Sequence, residues 1–137
     1  MLSSSLREQH AGLASQLGAI DQAIKTGKPG TELRKLLIEF SGKLTVHLAA
    51  EDRMVYPQLQ SSPDTAVAAM AKRFASEMGG LGAAFKAFNH TYNAGTAIDA
   101  DRAGFAKAFA GIVAAIVARV KAEENELYAA VDRLGKA

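Results

Sequence analysis

The sequence predicts an all-α fold, an up-down-up-down antiparallel four-helix bundle built from two repeated helical hairpins, on three observations. Only three prolines occur in 137 residues, and each sits where a connection is expected: Pro29 in GKPG, Pro57 in VYPQLQSS and Pro63 after Ser62. The segments between them are rich in Ala, Leu, Lys and Glu, residues that lose little rotamer freedom in a helix. Within each segment apolar residues recur at steps of three and four, the pattern of a bundle seam.

The first helix, near 5–26, opens on a capping box, Ser5-Leu-Arg-Glu8, and carries the stripe Leu6, His10, Leu13, Leu17, Ile20, Ile24. A second, near 31–60, is capped by Thr31 and runs through Leu33, Leu37, Phe40, Leu44, His47, Glu51 and Val55. Ser62-Pro63, a cap followed by proline at the first helical position, starts the third, near 63–92, with Phe74, Met78, Leu81, Phe85, Phe88 and Tyr92. A loop from Asn93 to Ala100 leads through Asp99 or Asp101 into the fourth, near 101–134: Phe105, Phe109, Ile112, Ile116, Arg119, Glu123, Leu127.

The third stripe repeats the first at a displacement of 68 residues and the fourth repeats the second at 72. HLAAEDRMVYP (47–57) lies over RVKAEENELYA (119–129), so Glu51 meets Glu123, Asp52 meets Glu124 and Tyr56 meets Tyr128. Short connections favour antiparallel neighbours, and the repeat implies a pseudo-twofold axis between the hairpins.

Composition narrows the function. At 49% hydrophobic and 22% charged, the chain reads as one soluble globular domain, residues 1–137, long enough to bury a core. With no cysteine there is no disulfide framework, thiolate metal site or iron-sulfur cluster. MLSSSLREQH lacks the apolar stretch of a secretory signal, and the longest apolar run, Ile112 to Ala118, is short of a membrane span. A cytoplasmic location and no membrane partner are expected. Sixteen basic residues, spread singly or in pairs, against fourteen acidic give a net charge of +2 and no basic patch, so no nucleic-acid partner is expected. Phosphate loops and Ser-His-Asp arrangements are missing, which leaves no catalytic residues and no organic cofactor to assign.

The informative residues are the polar ones on the seams. His10 and His47 lie equally far from the middle of the GKPG turn, so an antiparallel hairpin brings them level, and Glu51 follows His47 by one turn on the same face. Two imidazoles and a carboxylate converging in a bundle suit iron, manganese or zinc. The competing reading is a hydrogen-bonded interior histidine at either position; His90, off the seam, reads as a solvated surface residue. Gly79, Gly80 and Gly82 crowd the third helix beside Met78, where room for Arg119, a kink or ligand access would each offset their helix cost. Tyr56 and Tyr128 read as bundle caps.

REQHAGL followed by HLAAEDRMVYP resembles the first half of the hemerythrin-like family, the HHE cation-binding domain, and the match spans almost the whole chain. The resemblance implies a four-helix bundle holding a carboxylate-bridged pair of irons, His10 and His47 as terminal ligands of one iron, Glu51 as one bridging carboxylate, and Glu123 or Glu124 as the other. Where the family places two histidines on the third helix this sequence has Met78 and Gly82, and where it places one on the fourth it has Arg119. Thioether, glycine and guanidinium cannot replace them at an iron, so a complete diiron centre and reversible oxygen carriage are not expected. Arg119, one turn before Glu123, is expected to fill the space of the missing iron and bond to Glu51, Glu123 or Glu124.

Two functions lead, ahead of a third, an oxidase or peroxidase, which would need an open metal position. One is a reduced, at most mononuclear non-heme site that binds or senses oxygen, nitric oxide or the metal itself. The other is a metal-free bundle, held by an Arg119-carboxylate network, that regulates a protein partner.

Overall fold

The computed structural model describes residues 2–135, and among them every regular element is helical, with no strand. Met1, Lys136 and Ala137 of the expected domain lie outside the described residues. The elements are α1 (Leu2–Lys25), α2 (Gly30–Ala50, continuing through a π-helical turn Glu51–Val55 into Tyr56–Gln60), α3 (Thr65–Thr91), the short α4 (Gly95–Ala100) and α5 (Arg102–Ala122, continuing through a π-helical turn Glu123–Leu127 into Tyr128–Gly135).

Cross-helix pairs give the directions. His47 meets Gln9 while Glu39 meets Gln16, so α1 and α2 run oppositely. Arg34 reaches the Tyr92 carbonyl while Leu48 lies against Gly82, which sets α3 antiparallel to α2. Arg73 pairs with Glu126 and Glu77 with Arg119 between α3 and α5, and Ser3 pairs with Asp132 while His10 meets Glu123 between α1 and α5.

Several helix starts differ from the sequence expectation, and at α1 and α2 tertiary contacts hold the first turn. Helix α1 begins at Leu2, which leaves Ser5 inside it, and its first turn is held by the buried Ser3 bonded to Asp132. Helix α2 begins at Gly30 rather than after Thr31, and the Gly30 N–H donates to Asp99 Oδ1 at 2.9 Å, a cap contributed from α4. A side chain at position 30 would run into the Gly95 carbonyl, so this approach requires glycine. Asp64, not Ser62, caps α3 by accepting from Ala66 and Val67, and Asp101 caps α5 through Gly104. The expected Asn93–Ala100 loop contains α4, whose Ile98 is fully buried. Pro57 sits in the helix just past the first π-turn, where its missing N–H is tolerated, not in a connection.

The π-turns share one cause. Among the buried positions, α2 carries the series His47, Glu51, Val55 and Leu59, and α5 the series Glu123, Leu127 and Val131, each in steps of four. In an α-helix each four-residue step rotates the side chain about 40° past the seam, so three steps would carry Leu59 off it. A π-turn accommodates more residues per turn and keeps all of them inward.

The core falls into two apolar clusters. One joins Leu13, Leu17, Leu37, Phe40 and Leu44 to the aromatic run Phe85, Phe88, Tyr92, Phe105 and Phe109. The other gathers Leu6, Val55, Tyr56, Phe74, Leu127 and Tyr128. On α1, α2 and α5 the polar seam residues His10, His47, Glu51 and Glu123 fall between residues of one cluster and residues of the other. An apolar layer on each side excludes water from this polar layer, and there charges interact most strongly.

Candidate metal centre

Both π-turns begin on a seam glutamate, Glu51 and Glu123, and both glutamates are buried with His10 and His47. His10 Nε2 lies 3.0 Å from His47 Nε2 and 3.0 Å from Glu123 Oε1, and His47 Nε2 lies 2.8 Å from Glu51 Oε1 and 3.6 Å from Glu123 Oε1. The outer nitrogens are held from behind. His10 Nδ1–H donates to Glu124 Oε1 at 3.1 Å, and His47 Nδ1–H donates to the Gln9 side-chain carbonyl at 2.8 Å. With the proton kept on Nδ1 in each ring, both Nε2 lone pairs face the interior.

Four acceptors therefore point at one another. Glu51 Oε2 and Glu123 Oε2 have no hydrogen-bond partner although fully enclosed, and Glu51 Oε1 has only the His47 Nε2 contact. The Tyr128 hydroxyl, which donates to His10 Nε2 at 3.0 Å, offsets only part of this. Without another positive group, protons must hold the cluster together. Burial opposes a charged His47, but hydrogen bonds to Glu123 and Glu51 outweigh it and hold its pKa up at about 9. Burial also pushes Glu51 up to about 7. Burial presses Glu123 in the same direction, yet its close contacts with the His10 and His47 rings prevail and hold it down at about 2. Burial likewise raises the Tyr56 and Tyr128 phenols, which stay protonated; Tyr128 donates to His10, while the Tyr56 hydroxyl is enclosed without a partner.

The donor set fits a metal ion. Two ligands each about 2.1 Å from an ion and about 90° apart stand about 3 Å from each other, which is the spacing found here. His10, His47 and Glu123 offer ligand atoms all within 4.8 Å of one another, and Glu51 adds its enclosed carboxylate to the same cluster.

A model of the hemerythrin HHE cation-binding domain matches residues 1–131. The chain belongs to that family. No curated protein and no solved structure matches it.

The expected site residues separate under this geometry. His10, His47, Glu51 and Glu123 come together. Glu124, expected as an alternative ligand, touches the outer nitrogen of His10 instead; its side chain is 37% exposed, so it orients the ring from the solvent edge. Gln9 does the same for His47 and escaped the sequence reading, because a glutamine one residue before a seam histidine has no signature. His90 is exposed, as read from the sequence.

The HHE domain's second half is different. Met78 is buried on the α3 seam, and a side-chain carbon at Gly82 would lie 3.9 Å from Leu48 Cδ1. Gly79 and Gly80 face open space. Arg119 does not bond to Glu51, Glu123 or Glu124. Its guanidinium carbon stacks 4.0 Å from the centre of the Phe74 ring and its Nη1 pairs with Glu77 on α3. Phe74 gives the cation a ring face to rest on, and a carboxylate at the solvent boundary costs less desolvation than one in the interior. Arg119 Nε and Nη2 remain enclosed without partners.

Proposed function

We propose that this HHE domain binds one divalent first-row metal ion, iron in the first place, through His10, His47, Glu51 and Glu123, and that the site serves to bind or sense oxygen, nitric oxide or the metal itself. The observation that supports it most directly is the inward convergence of two Nε2 atoms on two enclosed carboxylates, each of which keeps an oxygen without a partner. Gln9 and Glu124 hold the rings, Tyr128 presents a hydroxyl to the same space, and the apolar clusters exclude water. The ion would supply a Lewis-acidic, redox-active centre. On this reading the fold is an up-down-up-down bundle of four long helices, with α4 an insertion across one end, formed by a single domain.

The alternative, a metal-free bundle regulating a protein partner, relied on an Arg119-carboxylate network. Arg119 pairs with Glu77 instead, and that removes its basis.

Elemental analysis after reconstitution with ferrous iron under reducing, oxygen-free conditions tests the proposal. One iron per chain is expected. No bound iron, or two irons with the absorption of an oxo-bridged pair, would overturn it.

A further inference from the structure

Helices α1 and α5 are splayed along most of their length, and a groove of about 790 Å³ lies between them, within the range of small-molecule pockets. Its floor is made by core residues Leu17, Phe109 and Ile116, and its lips by the short side chains of Ala14, Ala110 and Ala114. Gly18 lies on the α1 side, and a side-chain carbon added there would meet nothing within 4 Å, so no part of α5 closes the gap. The helix Arg102–Arg133 includes an 18-residue stretch apolar enough to cross a membrane, yet only 17% of that stretch is buried. Val117, on the groove, is 43% exposed. Such a surface in water is unfavourable unless something covers it.

The groove is elongated and differently charged at its ends. It runs along α1 from His10 to Lys25, fifteen residues or about 22 Å. At the far end Lys25 is paired with Asp21 at 2.8 Å. At the His10 end Lys121 has no ion-pair partner among the described residues. An elongated apolar groove with one free cation at its end matches a molecule with one apolar chain and one anionic head.

We propose that this groove binds a free fatty acid, the tail lying over Leu17, Phe109 and Ile116 and the carboxylate held by Lys121 beside His10. The groove shares only His10 with the metal ligands, and its apolar floor and Lys121 do not require the ion. Isothermal titration of the whole chain with dodecanoate below its micellar concentration, and with dodecylammonium as a cation of the same chain length, is the test. Saturable binding of one dodecanoate per chain is expected, about tenfold or more tighter than dodecylammonium, the effect of one charge-assisted contact. Filling the groove from either wall, with Ala114→Trp or Gly18→Leu, should abolish binding at unchanged helical content, because both positions face open space. Lys121→Glu should weaken dodecanoate about tenfold or more. Absence of saturable binding, or equal affinity for the two amphiphiles, would overturn the proposal. A dimer that Ala114→Trp dissociates would overturn it in favour of a second copy, and flotation with phospholipid vesicles that Ala114→Trp abolishes would do so in favour of a membrane surface.

Discussion

The two hairpins of this bundle share a framework and differ in chemistry. Each has a long helix followed by one broken by a π-turn that starts on a seam glutamate and ends before a buried tyrosine. In the first hairpin the seam adds His10 and His47, with Gln9 and Glu124 behind them. In the second the corresponding positions are Met78 and Arg119, of which one is apolar and the other turns aside to Phe74 and Glu77. The framework therefore outlasts the chemistry. The π-turn keeps Leu127 and Val131 in the core as well as Glu123, so packing would retain it even where ligands are lost.

The sharpest way to break the comparison is to remove one residue from each half. His47→Ala deletes a nitrogen from the centre of the acceptor cluster and should reduce bound metal from one per chain to none. Met78→Ala, on the other seam, should leave the stoichiometry unchanged and cost only stability, about 2–5 kcal/mol as for other buried large-to-small changes. Metal content by mass spectrometry and a denaturant melt of each variant give the two readouts. Metal loss in Met78→Ala would show that the halves are not separable.

Much of this was legible beforehand. His10, His47, Glu51 and Glu123 stood out because each interrupts an apolar stripe at a repeat-related place, and burial follows the stripe. The π-turns were legible only in retrospect: an unbroken series of four-residue steps from His47 to Leu59 is their signal, since an α-helix cannot keep such a series on one face. Gln9, Asp99 and Glu77 act across the fold on partners 38, 69 and 42 residues away, and no local pattern encodes such pairings. Arg119 was misread for a related reason. The repeat fixes where its Cα lies, but its long side chain carries the guanidinium past the seam.

The next effect separates the metal-free from the metal-bound protein. His47, at 6.5 when unfolded and about 9 in the fold, contributes stability that is complete below pH 6.5 and lost as pH rises to 9. Glu51, raised from 4.5 to about 7, likewise loses its contribution between those values. Glu123, held at about 2, loses its own only as pH falls below 4.5 towards 2. Metal-free protein should therefore lose roughly 6 kcal/mol between about pH 5 and about pH 9, the combined worth of two shifts of about 2.5 units each. A bound ion reverses the trend, because it requires neutral imidazoles and ionised carboxylates and displaces protons. Melts across this range with and without Mn²⁺ should diverge as the pH rises; parallel curves would mean that the ion binds elsewhere.

A smaller effect tests the residues behind the rings. Gln9→Ala and Glu124→Ala each free one imidazole to rotate and to move its proton to Nε2, and each should weaken metal binding about 10- to 100-fold without changing its stoichiometry. Competition with a chelator of known affinity measures this. Loss of stoichiometry in Glu124→Ala would instead make Glu124 a ligand.

The smallest effect belongs to Arg119. A guanidinium bonded to the buried Glu51 or Glu123 would leave an uncompensated interior charge when removed, at about 3–5 kcal/mol. The observed partners are weaker ones. Glu77 is 52% exposed, and such a pair contributes about 1 kcal/mol or less, while the stack on Phe74 adds a similar amount. Against these, Arg119→Ala relieves two enclosed donors, Nε and Nη2, that have no acceptor. The net loss should be about 1 kcal/mol. A double-mutant cycle with Glu77→Ala, read by denaturant melts of the metal-free protein, should assign under about 1 kcal/mol to the pair itself. A loss near the upper range, with no coupling to Glu77, would mean that in solution Arg119 turns inward to the carboxylates and that the two halves are joined through their charges rather than through their packing.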